Sequence, residues 1–118
     1  MLVVEDDQNL RVVIRMVLEH AGYEVSEARH GIAALEMLAT WMPDLIIADM
    51  RMPLMDGAEL MARLRSNPTT ATIPIVLLSG LPADPSVSRL ADAVVNKPFE
   101  PADLVAAIRR SLADEVGA

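Results

Sequence analysis

The sequence predicts an α/β domain, a doubly wound sheet of five parallel strands with helices on both faces. Short apolar runs alternate with amphipathic ones along the whole chain, which is the mark of repeated βα units. Most of those runs are continuously apolar rather than alternating, so the strands are buried on both faces, as parallel strands are. Four of the five end on a polar group: Glu5 and Asp6, Asp49, Ser79 and Lys97. Ends of parallel strands share one edge of the sheet, the edge where open α/β folds place their ligands.

Each element follows from its own residues. Leu2-Val3-Val4 is the first strand and runs into Glu5-Asp6-Asp7. Residues 8–21 place Leu10, Val13, Ile14, Val17 and Leu18 on one helical face, and Gly22 closes the helix. Tyr23 to Ala28 is more polar and reads as an edge strand. Gly31 to Met42 carries Ile32, Leu35, Leu38 and Ala39 at helical spacing, with Pro43 as the stop. Leu45 to Ala48 is the third strand and delivers Asp49 to its end. After the loop Met50-Arg51-Met52-Pro53, Asp56-Gly57-Ala58-Glu59 offers a helix N-cap with a capping-box glutamate. The third helix, Ala58 to Ser66, turns Leu60, Met61 and Leu64 inward.

Ile75 to Leu78 is the fourth strand, ending at Ser79-Gly80, and Ala93 to Val95 is the fifth, ending at Asn96-Lys97-Pro98. Between them, Leu81-Pro82-Ala83-Asp84-Pro85 carries two prolines, which disfavour a long helix, so the fourth helix is short or irregular. Pro101 opens the last helix, with Leu104, Val105, Ile108 and Leu112 buried.

Composition narrows the function. A chain of 118 residues is one domain, 1–118, whether it stands alone or belongs to a longer protein. Hydrophobic residues are 53% and aromatics only 3%, so the core is aliphatic. The net charge of −7 and the lack of a dense basic patch argue against direct nucleic-acid binding. With no cysteine there are no disulfides and no thiolate metal sites, which fits a cytoplasmic protein. No apolar run approaches the length of a membrane span, and no signal peptide is visible.

The convergent strand ends suggest a chemistry. Glu5, Asp6 and Asp49 repel one another unless a hard divalent cation sits among them, and oxygen ligands of this kind favour magnesium. With the Ser79 hydroxyl and the Lys97 ammonium added, the site suits a phosphoryl group on or near Asp49. Plainer readings exist for each residue taken singly. Glu5 and Asp6 are acids that favour a helix N-terminus, Asp49 and Ser79 are ordinary turn residues, and Lys97 is a surface charge. Asp7 fits the cap best, His20 and His30 have no paired ligands, and Trp41 at a helix end packs against the body.

Taken together, the segments LVVEDD (2–7), PDLIIADMRMPLMDG (43–57), IPIVLLSG (73–80) and KPF (97–99) make the chain similar to the receiver domain of two-component response regulators over nearly its whole length. The resemblance implies a flavodoxin-like strand order, 2-1-3-4-5. It implies Asp49 as the phosphoacceptor, taking its phosphoryl group from a phosphohistidine on a sensor histidine kinase or histidine phosphotransfer domain. Asp6 and Asp49 would ligate Mg2+, Glu5 would hold one of its waters, and the Arg51 backbone carbonyl would complete the set. Ser79 and Lys97 would hold phosphoryl oxygens, with Lys97-Pro98 in cis. The domain would be a signalling switch rather than an enzyme in its own right. An output domain or downstream protein would read it through the 79–98 face.

The chain departs from the family pattern where signalling takes place. Val94 stands where a switch aromatic is usual, Gly80 follows Ser79 where alanine is common, and the Ser79–Lys97 interval is short. A degenerate receiver that binds partners without phosphorylation therefore stays open. So does a dehalogenase-type phosphohydrolase, although such an enzyme wants an acid where Arg51 stands and a nucleophile after the first strand.

Overall fold

In the computed structural model, residues 1–82 and 84–117 are described, with the backbone alone for 114–117. Their order is β1 (Leu2–Val4), α1 (Gln8–His20), β2 (Ser26–Ala28), α2 (Gly31–Leu38), β3 (Ile46–Asp49), α3 (Gly57–Ser66), β4 (Ile75–Ser79), α4 (Pro85–Ser88), β5 (Ala93–Asn96) and α5 (Pro101–Gly117). The five strands form one sheet in the order β2-β1-β3-β4-β5, and each neighbouring pair is parallel. β2 lies at an edge, as its polarity predicts.

Alternation along the strands sorts the core into two layers. Leu2, Val4, Ile46, Ala48, Ile75 and Leu77 face α2 and α3, where Ala34, Leu38, Leu60, Met61 and Leu64 meet them. Val3, Ile47, Val76, Leu78 and Val95 face the other way, onto Ile14 and Leu18 of α1 and Leu104, Ala107 and Ile108 of α5. The register is level across the middle of the sheet: Val4 pairs with Ala48, Asp49 with Leu78, and Ser79 with Asn96. Glu5, Asp49, Ser79 and Lys97 are thereby delivered to one edge.

The helices differ from expectation in detail. Val13 is 51% exposed, because it lies about 100° around the helix from Ile14, outside the stripe that Ile14 and Leu18 centre. In α2 the buried face is Gly31, Ala34 and Leu38 rather than Ile32, Leu35, Leu38 and Ala39. Ile32 and Ala39 are exposed and Leu35 is half-buried. Small residues sit where the helix approaches its neighbours, and Met55 packs directly on Gly31. The helix ends at Leu38, short of Pro43, and leaves Trp41 and Met42 exposed. His30 is its N-cap, its Nδ1 accepting from the Ala33 N–H.

β2 begins at Ser26 rather than Tyr23. Asp56 caps α3 by accepting from Glu59 N–H, but the Glu59 carboxylate pairs with Arg63 instead of completing a capping box. α4 is a single turn opened by Pro85, as the two prolines predict; Ala83 lies outside the described residues. In α5, Leu104 and Ile108 are buried while Val105 and Leu112 are only half-buried.

Candidate functional site

The site is built on the C-terminal edge of β1, β3, β4 and β5. Asp49, the last residue of β3, is only 5% exposed, and its Oδ1 lies 2.7 Å from Lys97 Nζ. Burying a carboxylate so deeply requires a counter-charge, and the Lys97 ammonium supplies it across the gap from β5. The peptide bond between Lys97 and Pro98 is cis. Carboxylate oxygens of Glu5, Asp6 and Asp49 all lie within 4.8 Å of one another.

Glu5 is the unusual member. It is 1% exposed; Oε1 accepts from the Asp7 N–H, while Oε2 has no hydrogen-bond partner among the described residues. Burial pushes its carboxyl up to about 8; the Asp7 N–H pulls the other way, the Asp49 charge adds to the rise and Lys97 opposes it. Asp6 is exposed at the rim, and Asp7 turns away to cap α1, accepting from Asn9 and Leu10. A buried carboxylate oxygen without a donor, beside two further carboxylates, fits a hard divalent cation of the magnesium class, which takes oxygen ligands only.

On the far side, Ser79 is buried and its Oγ donates to the Leu81 carbonyl. Arg51 and Leu81 are exposed and, with Gly80, flank a small opening onto Asp49 and Lys97. A wider cleft of about 580 Å3 runs beside it, between the 50–56 loop and the 79–87 segment, with Asp6 at its rim. Asp56 and Gly57 are not part of the chemistry, yet Gly57 is needed for it. A Cβ there would stand 2.6 Å from the Asp49 carbonyl oxygen and 2.9 Å from Met50 Cα, so only glycine lets α3 begin against the end of β3. The Gly57 N–H donates to the Met50 carbonyl at that contact.

The six residues expected at the site thus come to one edge of the sheet: Glu5, Asp6 and Asp49 cluster, Lys97 meets Asp49, Ser79 ends the neighbouring strand, and Arg51 borders the opening onto Asp49 and Lys97. What the sequence did not reveal is the support. Arg11 on α1 donates to the Glu5 carbonyl and to Glu27 of β2. Arg65 on α3 holds the chain between α4 and β5. Neither pairing leaves a periodic trace, since each joins residues 6 to 27 positions apart.

The comparisons with known proteins agree with this geometry. The family model described as the response regulator receiver domain matches residues 1–109. The chain is a response regulator receiver domain. Receivers of this kind belong to two-component systems and are signalling domains. This one is 36% identical over 115 residues to the phosphate regulon transcriptional regulatory protein PhoB of Pseudomonas aeruginosa, covering 94% of this chain and 50% of that protein. It is 39% identical over 118 residues to the response regulator MprA of Mycobacterium ulcerans, covering 94% and 49%. The chain thus spans about half the length of these regulators.

Among solved structures, the receiver is similar to a putative response regulator from Chloroflexus aurantiacus, with TM-score 0.87 and 37% identity over 95% of each chain. It is also similar to the response regulator TrrA from Thermotoga maritima in complex with Mg(2+)-BeF, with TM-score 0.85 and 30% identity over 93% of this chain and 96% of that one. A dehalogenase-type reading is set aside by the family and by the topology. Asp49 ends β3 rather than following β1, and Arg51 stands two residues beyond it. Among the described residues, no helix is long and apolar enough to cross a membrane.

Proposed function

We propose that this receiver accepts a phosphoryl group on Asp49 from a phosphohistidine of a sensor histidine kinase or histidine phosphotransfer domain, and that the aspartyl-phosphate switches its contacts with a partner. The observation that carries this reading is the buried Asp49 carboxylate, paired with Lys97 at 2.7 Å and opening to the surface between Arg51 and Leu81. An Asp49 oxygen attacks the phosphorus in line as the phosphorus–nitrogen bond breaks, and the bond's electron pair returns to the donor's imidazole. The product is an acyl phosphate. Asp49 loses its carboxylate charge in forming the oxygen–phosphorus bond, the negative charge then lies on the phosphoryl oxygens, and Lys97 is left to pair with one of those instead.

Ser79 supplies a hydroxyl donor to a second phosphoryl oxygen, exchanging the Leu81 carbonyl for it. Asp6, Asp49 and the Arg51 carbonyl would hold Mg2+, with Glu5 holding one of its waters. When bound, that ion neutralises the acidic cluster and draws charge from the phosphoryl oxygens. No proton transfer is needed, so positioning and charge carry the reaction. The 79–98 face, which runs from the hydroxyl to the lysine, is the surface offered to an output domain or downstream protein.

Incubation with acetyl phosphate and magnesium tests the reading. The wild-type receiver should gain the mass of one phosphoryl group, and Asp49→Asn should gain none. A wild type that stays unmodified while folded would favour the degenerate receiver that binds without phosphorylation. Equal labelling of the two proteins would move the acceptor elsewhere.

A further inference from the structure

We propose that Arg11 is a positioning residue for the acidic pair, fixing the β1–α1 turn so that Glu5 and Asp6 stand ready for a divalent cation; the inference rests on the metal-assisted reading above. β1 stops pairing at Val4, opposite Ala28 and Ala48. The Glu5 N–H still reaches the Ala28 carbonyl, but the Glu5 carbonyl lies past the end of the ladder. Arg11 takes it, NH1 donating at 2.8 Å.

The same guanidinium is itself held. Its Nε donates to Glu27 Oε1 at 2.9 Å, and Arg15 NH1 occupies Glu27 Oε2 at 2.5 Å, so the Glu27 carboxylate is fixed from two directions on β2. The Arg11 side chain is 16% exposed, far less than the 44% of Arg15 in the same cluster. A planar fork with several donors suits this double task, which a lysine ammonium on a flexible stem does not.

The other holds on the turn are few. Glu5 Oε1 accepts from Asp7 N–H, and Asp7 accepts from the first amides of α1. Asp6, exposed between them, takes its place from its two neighbours. A rotation of the Glu5 carbonyl therefore moves Asp6 directly, because the two share that peptide plane. Arg11 sits one turn further along α1, its own N–H bonded to the Asp7 carbonyl, and so closes a ring from β2 through α1 back to the turn. Guanidinium charge is a poor explanation for this arrangement, since the contact is with a carbonyl and not with a carboxylate of the site.

The test measures Mg2+ affinity directly, by titration calorimetry on wild type, Arg11→Met, Arg11→Lys and the double variant Arg11→Met with Glu27→Gln, with the melting temperature of each recorded. Outer-shell supports of metal ligands change affinity by about tenfold to a hundredfold, so Arg11→Met should bind magnesium at least about tenfold more weakly. Arg11→Lys keeps the charge and should lose affinity too, which separates geometry from field. Adding Glu27→Gln to Arg11→Met should cost little more, because Glu27 acts through Arg11. In magnesium-free protein, amide exchange at residues 5–8 should quicken in both Arg11 variants.

Unchanged magnesium affinity in a folded Arg11→Met or Arg11→Lys protein overturns the proposal, even if the protein melts earlier. Failure of the wild type to bind magnesium would instead remove the functional reading on which it rests, and the proposal with it.

Discussion

Asp49 lies between two halves of the site that are held very differently. On one side, the β1–α1 turn is fastened by Arg11 at the Glu5 carbonyl, by Asp7 N–H at the Glu5 carboxylate, and by Glu5 N–H at β2. On the other, residues 79–82 and 84–88 carry exposed Gly80, Leu81 and Pro82, a one-turn α4 with no buried residue, and a Ser79 hydroxyl bonded to the Leu81 carbonyl. The fastened half carries the acids; the loose half carries the hydroxyl. Chemistry that depends on placing charge needs a rigid support, whereas a signal must move something, and movable segments are those with few buried contacts.

Glu5 gives the largest handle on this contrast. Its carboxyl is raised from the usual 4.5 to about 8, so between those values the folded protein binds more protons than the unfolded chain. Stability of the magnesium-free receiver should therefore fall as pH rises through that window, by at most about 1.4 kcal/mol per pH unit from this group. Denaturant melts of wild type and Glu5→Gln at about pH 5 and about pH 8 should show the wild type losing more. Adding magnesium at the higher pH should restore part of the loss. Parallel pH dependence in the two proteins would mean that the buried acid is not under this tension.

Arg65 sharpens the comparison from the other end of the loose segment. It donates to the Ala71, Ile73 and Leu90 carbonyls and pairs with Asp92, whose Oδ2 also accepts from Ile75 N–H. Arg65→Met should cost about 2 kcal/mol, since three partly buried carbonyls lose a charged donor. It should also speed amide exchange at residues 88–92 while leaving residues 5–8 untouched. Quickening spread evenly over the sheet would show that the two halves are not separately held.

The smallest effect concerns how long the phosphoryl group lasts. Arg51 and Leu81 border the opening above Asp49, and neither side chain suits the task of orienting a hydrolytic water: leucine has no donor or acceptor, and arginine cannot act as a base. Arg51→Asn and Leu81→Glu should shorten the lifetime of the aspartyl-phosphate by several-fold, read as loss of labelled phosphate after donor removal. Lifetimes equal to wild type in both would place the limit elsewhere.

Much of the fold was legible because its strands are strong local signals. Val3, Ile47 and Leu78 lie in short apolar runs of the kind that a doubly covered parallel sheet accommodates, and the acids, Ser79 and Lys97 come within two residues of the ends of such runs. The helices were less legible. Hydrophobicity put Val13 and Ile32 inward, but the packed faces centre on Ile14 and on Ala34, where a small side chain lets the helix come close. The residues that meet at the strand ends could be located from sequence because they are ordered along the chain. Gly57, Arg11 and Arg65 could not, because each matters through a backbone approached in three dimensions.

The Arg65 clasp has a mechanical consequence. The stretch that leaves β4 is held at both ends, by the sheet at Ser79 and by Arg65 at Leu90 and Asp92, and the exposed Gly80, Leu81 and Pro82 lie next to the hydroxyl. A segment tied at both ends can change shape only between its ties, and its exposed part is the part beside Ser79. Under the proposed function, a reader of that change would have to reach toward the same rim that the phosphoryl donor needs, so the two would share one doorway.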